Sequence, residues 1–147
     1  MSAVVYSGDT SGQITVAAPA VAGSNTLTLP ALTGTLSIDA AVTSKTASYQ
    51  ILAADDFTDF DNNGAAGSVT FTLPAAAVGL SYGFAVMEAF NLVIQAPGGV
   101  TMYAGAGSAS TAGGTLTSSD VGSYILLKCR SSTEWIAQQL VPSWTPA

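Results

Sequence analysis

The chain has 147 residues, 48% of them hydrophobic types and only 8% charged, which suffices for one domain carrying an arm and not for two large enzymatic domains. Nine acidic residues against three basic ones give a net charge of −6, which argues against nucleic-acid binding, because that affinity needs clustered Lys and Arg. The single cysteine, Cys129, excludes an intrachain disulfide and the multi-cysteine metal frameworks.

No stretch reaches the roughly 18 apolar residues that span a bilayer, so membrane insertion is not expected. Met1 to Tyr6 lacks the basic start and apolar run of a signal peptide, so export by that route is not expected either. Taken in order, Ile14-Thr15-Val16-Ala17 is a weak strand pattern, and Thr26-Leu27-Thr28-Leu29 before Pro30 is a clearer one. Residues 1 to about 45 hold few bulky side chains and many alanines, so they read as an N-terminal arm or anchoring segment. Val16, Val21, Leu27, Leu29, Leu32, Leu36 and Ile38 of this arm cannot close a core among themselves. Residues 46 to 147 contain all five phenylalanines and both tryptophans and read as a compact domain.

Within that domain, Ile51 to Phe57 has room for one helical turn only. Ser68 to Leu73 alternates strictly, with Val69, Phe71 and Leu73 on one face and Thr70 and Thr72 on the other. Further strands are expected at Tyr82 to Val86, Asn91 to Gln95, Tyr124 to Cys129 and Glu134 to Leu140. Turn formers separate them: Asn62-Asn63-Gly64, Pro74, Pro97-Gly98-Gly99, Gly113-Gly114 and Pro142. Short strands about ten residues apart predict an all-β fold, an antiparallel β-sandwich or small β-barrel. Thr26 to Ala31 echoes Thr70 to Ala75, but two copies are too few for a solenoid. The expected core is Phe57, Val69, Phe71, Leu73, Tyr82, Phe84, Val86, Leu92, Ile94, Ile125, Leu127, Trp135 and Ile136.

Histidine is absent, which removes the commonest proton-transfer side chain. Lys45 has no motif around it, and Cys129, flanked by apolar residues, reads as a core thiol. Asp55, Asp56, Asp59 and Asp61 could form a carboxylate pair for glycosidic chemistry, but Phe57 and Phe60 between them read more simply as anchors of the loop. Asp59-Phe60-Asp61-Asn62-Asn63-Gly64 reproduces the opening of a calcium loop, yet the twelfth position is Thr70 in place of a glutamate. An Asx-rich turn is the preferred reading. Gly105 to Gly114 lacks the Lys-Ser/Thr ending of a phosphate cradle. It reads as an exposed, mobile loop that could, with Tyr103, contact a glycan. No catalytic, cofactor-binding or metal-binding residue is assigned, and no cofactor is expected.

Tyr49 to Asp56, Gly67 to Ala76, Gly79 to Phe84, Gly122 to Ile125 and Glu134-Trp135 resemble small β domains in structural proteins of tailed bacteriophages. Ala18 to Pro30 resembles a segment of the same fibre-associated and minor virion proteins. This resemblance implies a virion component without catalytic residues, commonly trimeric, decorating a head or forming part of a fibre. Its implied partners are copies of itself, the major capsid protein or another virion protein, and a host-surface glycan if it sits on a tail fibre. The closing tryptophan of such domains is matched by Trp144, although Pro142 stands where they carry a glycine.

Overall fold

The computed structural model describes residues 3–7, 13–17, 42–105, 107–140 and 144–147. The expected strand at Thr26 to Leu29, residues 18–41 of the arm and Pro142 lie outside them. The chain divides into two compact units, 1–35 and 36–147. In the first, β1 (Ala3–Ser7) and β2 (Gln13–Ala17) form an antiparallel hairpin, Val5 opposite Thr15.

The second unit is all-β. Its strands are β3 (Val42–Ser44), β4 (Tyr49–Gln50), β5 (Thr58–Asp61), β6 (Val69–Thr72), β7 (Ser81–Ala85), β8 (Leu92–Gln95) and β9 (Thr101–Tyr103). After these come β10 (Thr115–Ser118), β11 (Tyr124–Ser131), β12 (Glu134–Leu140) and β13 (Thr145–Pro146). The expected helical turn is a short 3-10 segment at Ala53–Asp55.

A six-stranded sheet runs β3-β5-β7-β11-β12-β9, and a five-stranded sheet runs β13-β10-β8-β6-β4. From β3 to β8 the chain alternates between the two sheets. Each passage through one sheet therefore serves as the crossover that a parallel pair in the other requires. β3, β5 and β7 are parallel neighbours, as are β4, β6 and β8.

The expectation of an antiparallel fold is corrected here, since these four pairings and that of β12 with β9 are parallel. Residues 42 to 95 make three successive coils; the echo of Thr70 to Ala75 at Thr26 to Ala31 lies outside the described residues. Antiparallel pairing enters where β11 docks on β7, β12 folds back on β11, and β10 joins β8 and β13.

Both sheets feed one core. In-register parallel pairing sets Phe60 beside Phe84, with ring centroids 6.1 Å apart, and Phe60 meets Phe71 of the other sheet at 5.4 Å. Tyr82 packs on Trp135 at 5.6 Å. Eleven of the thirteen expected core residues are buried. The exceptions are corrections: Phe57 is 47% exposed and Ile136 is 41% exposed. Ile136 points outward because it pairs with Lys128, whereas its neighbour Trp135 pairs with the inward Cys129. Phe60, expected as an anchor of its loop, is buried as one, and Ile51, Met102, Leu116 and Trp144 join the core without having been expected there. Burial pushes the Cys129 thiol above its ordinary pKa, consistent with a core role.

Replacing Phe60 by Ala should cost about 3–5 kcal/mol of stability, because it empties space between both sheets. Urea unfolding followed by tryptophan fluorescence measures this, and a loss below about 1 kcal/mol would contradict the shared core.

Candidate functional site

The four aspartates are dispersed among separate structural tasks. Asp55 Oδ2 accepts hydrogen bonds from the Tyr49 hydroxyl at 3.0 Å and the Leu52 amide at 2.9 Å. Asp56 Oδ1 accepts from the amides of Phe57 at 3.0 Å and Ser81 at 2.8 Å, tying the bend before β5 to the start of β7. Asp59 Oδ1 accepts from the Tyr124 hydroxyl at 3.2 Å. Asp61 Oδ1 accepts from the Asn63 amide at 3.0 Å, closing an Asx turn.

Asn62, expected only as a turn former, is fully buried and clamps the segment after β7. Its Oδ1 accepts from the amides of Met87 at 2.7 Å and Glu88 at 3.0 Å, while its Nδ2 donates to the Glu88 carbonyl at 3.1 Å. Among the described residues no three His, Cys, Asp or Glu side chains are grouped to hold a metal. Lys45 lies over the Tyr49 ring, its Nζ 3.8 Å from the centroid.

The solvent-facing side of the six-stranded sheet carries two depressions. One, of about 270 Å³, is lined by Phe57, Asp59, Gly83, Tyr124, Lys128 and Gln138. Gly83 lies in register between Asp59 and Leu126. A Cβ there would collide with the Asp59 carboxylate and the Tyr124 hydroxyl, so glycine is what lets that hydrogen bond cross β7. Phe57 sits at this rim with φ of 62°, a conformation that bulky side chains rarely adopt. Its amide is held by the Ser81 carbonyl at 2.8 Å as well as by Asp56.

The second depression, about 230 Å³, is lined by Tyr103, Gly105, Ser108, Arg130 and Ile136, among others. Tyr103 is 40% exposed. The glycine-rich loop expected to be mobile is bonded back onto the sheet. The Ala104 amide donates to the Ser108 carbonyl at 2.8 Å, and the Ser110 amide donates to the Met102 carbonyl at 2.9 Å. Ser110 Oγ also accepts from the Met102 amide at 3.0 Å. The loop and Tyr103 are therefore brought together with Arg130 and Ile136, which the sequence did not single out for this surface. Their pairing follows from Ile136 lying opposite both Lys128 and Tyr103. Arg130 is paired with Glu134 at 3.2 Å.

Burial first, and then the negative charge and hydrogen bond of Asp59, push the Tyr124 phenol up to about 12. Because the folded pKa lies above the unfolded value near 10, this group's contribution to stability is full below about pH 10 and is lost as pH rises toward 12. Tyrosinate absorbance should place Tyr124 among the last tyrosines to ionise, and Asp59→Asn should lower its midpoint. An unchanged midpoint would show that Asp59 has no part in it. For the Asp59 to Gly64 turn, melting curves with millimolar calcium and with chelator should coincide, and a higher melting temperature in calcium would mean that the turn binds the ion.

Comparison of the chain with protein-family models and with curated proteins finds no match.

Proposed function

We propose that the chain is a non-enzymatic structural component of a tailed-bacteriophage virion, a capsid decoration or head-fibre subunit that assembles as a trimer on the particle. The observation that most supports this reading is the division into two compact units, an N-terminal one with its own hairpin and a β unit beginning at residue 36. A short attachment segment followed by a displayed β domain is the organisation such a subunit needs. The β unit is read as a two-sheet sandwich, because Phe60 and Phe84 of one sheet meet Phe71 of the other. The four aspartates act in this reading as loop ties, each accepting from backbone amides or tyrosine hydroxyls. Residues 1 to about 45 would hold the subunit to its neighbours or to the major capsid protein, with strand addition at an edge of the β1–β2 hairpin as the means. Three subunits follow from the phage resemblance, since closed symmetry alone does not select that number.

A second reading, a tail-fibre-associated module for a host-surface glycan, is favoured by the depression that joins Tyr103 to the loop at Gly105 and Ser108. An aromatic ring beside backbone and hydroxyl groups suits the face and edge of a sugar.

Light scattering on the full chain should give a trimer mass at micromolar concentration, and a protein starting near Lys45 should lose binding to undecorated particles. A full-length monomer would overturn the trimer. Undiminished particle binding by the shortened protein would overturn the role of the arm.

A further inference from the structure

We propose that the depression between Phe57 and Gln138 is a binding subsite for one neutral pyranose unit of a surface polysaccharide; its ligand class rests on the glycan reading above. The aromatic at its rim is the first reason. Phe57 occupies a left-handed backbone conformation that Gly or Asn would adopt more easily, and yet its side chain is 47% exposed. Core packing therefore does not account for a phenylalanine at this position. An unusual conformation held by two hydrogen bonds and presenting a ring to solvent is the pattern of a positioned contact residue.

The floor and walls supply the second reason. Because Gly83 has no side chain, the Asp59 carboxylate and the Tyr124 hydroxyl meet directly over it, and their hydrogen bond forms the floor. Tyr124 adds a second ring, Asp59 is an acceptor fixed in place, and Gln138 brings an amide. A sugar ring needs this combination, an apolar surface for its C–H face and a few fixed polar groups for its hydroxyls.

The third reason is Lys128. Of the three basic residues, Lys45 is engaged with Tyr49 and Arg130 with Glu134, while Lys128 makes no ion pair among the described residues and lines this groove. It is a donor without an ion-pair partner, lining the same groove as the acceptor Asp59. A net charge of −6 and the carboxylate of Asp59 disfavour an anionic sugar. A peptide is disfavoured because β7 and β11 are inner strands, each hydrogen-bonded on both sides, which leaves no free edge for main-chain recognition. Four strand spacings separate β5 from β9, about 19 Å. A sugar chain crossing the strands would thus pass from this groove to the one at Tyr103, so oligosaccharides should bind more tightly than single sugars.

The test is binding of the full chain to immobilised dextran, cellohexaose and chitohexaose, with polygalacturonate as the anionic comparison. The unmodified chain should bind at least one neutral probe, and Phe57→Gly should weaken that binding at least about tenfold while melting no lower. Retained binding by Phe57→Gly with loss in Tyr103→Ser would overturn this groove and leave the glycan reading standing. Binding of polygalacturonate alone would overturn the choice of a neutral sugar. Absence of binding to every probe at roughly millimolar concentration would overturn both the groove and the glycan reading. If Phe57→Gly melts lower, Lys128→Gln decides, because unchanged binding in that variant overturns the proposal.

Discussion

Phe60 is the contact on which the rest of the domain depends. Its ring touches Phe71 across the core and Phe84 on the neighbouring strand, and Tyr49 of the first coil lies 5.7 Å away. Strands of two to five residues, as β3 to β8 are, have little stability as isolated ladders. They persist because each coil delivers an apolar side chain into the same space from alternate sheets, and Phe60 links the first coil to the third. The hydrophobic effect thus fixes register as well as compactness, since a slip by one residue would turn Phe60 outward and the half-exposed Asp59 inward.

The outer surface follows from that register. With Phe60, Tyr82 and Phe84 inward, Asp59, Gly83 and Tyr124 lie on the opposite face of the sheet, where the Asp59 and Tyr124 side chains cover Gly83, and the bulge between Leu126 and Leu127 adds Gln138 to the same face. Polar residues near the strand ends then hold the turns. Asn62 ties the end of β5 to the segment after β7, and Asp56 ties the bend before β5 to the first residue of β7. Both link one coil to the next, so the acidic, Asn-rich stretch works as a set of spacers between coils.

Much of the β domain was legible because period-two alternation survives in any half-exposed strand. Val69, Phe71 and Leu73 were assigned inward from the sequence, and they are buried. The direction of pairing was not legible. Parallel strands are usually buried on both faces and lack alternation, whereas here Asp59, Thr70 and Thr72 occupy half-exposed outer positions and imitate an antiparallel sheet. Phe57 misled because an aromatic among aspartates looks like an anchor, and only its backbone angle sets it apart. Phe60, three residues on, is the anchor. Tyr103 and its loop were visible as surface features, but the company of Arg130 and Ile136 depends on the pairing of β12 with β9, which local pattern does not encode.

The alternation of the chain between sheets also governs how the domain can reach its native state. Every parallel pairing from β3 to β8 joins segments separated by a full coil, so each must close a long loop before it gains any contact energy. The hairpin of β11 and β12 is different, with only Ser132 and Thr133 between its strands. It can form early and offer β7 a preformed edge, after which the coils add outward to β3. Such a route implies slow folding for a chain of this size, with the hairpin structured in the transition state and Val42–Ser44 still free. The kinetic signature is a φ-value approaching about one at the hairpin and about zero at β3.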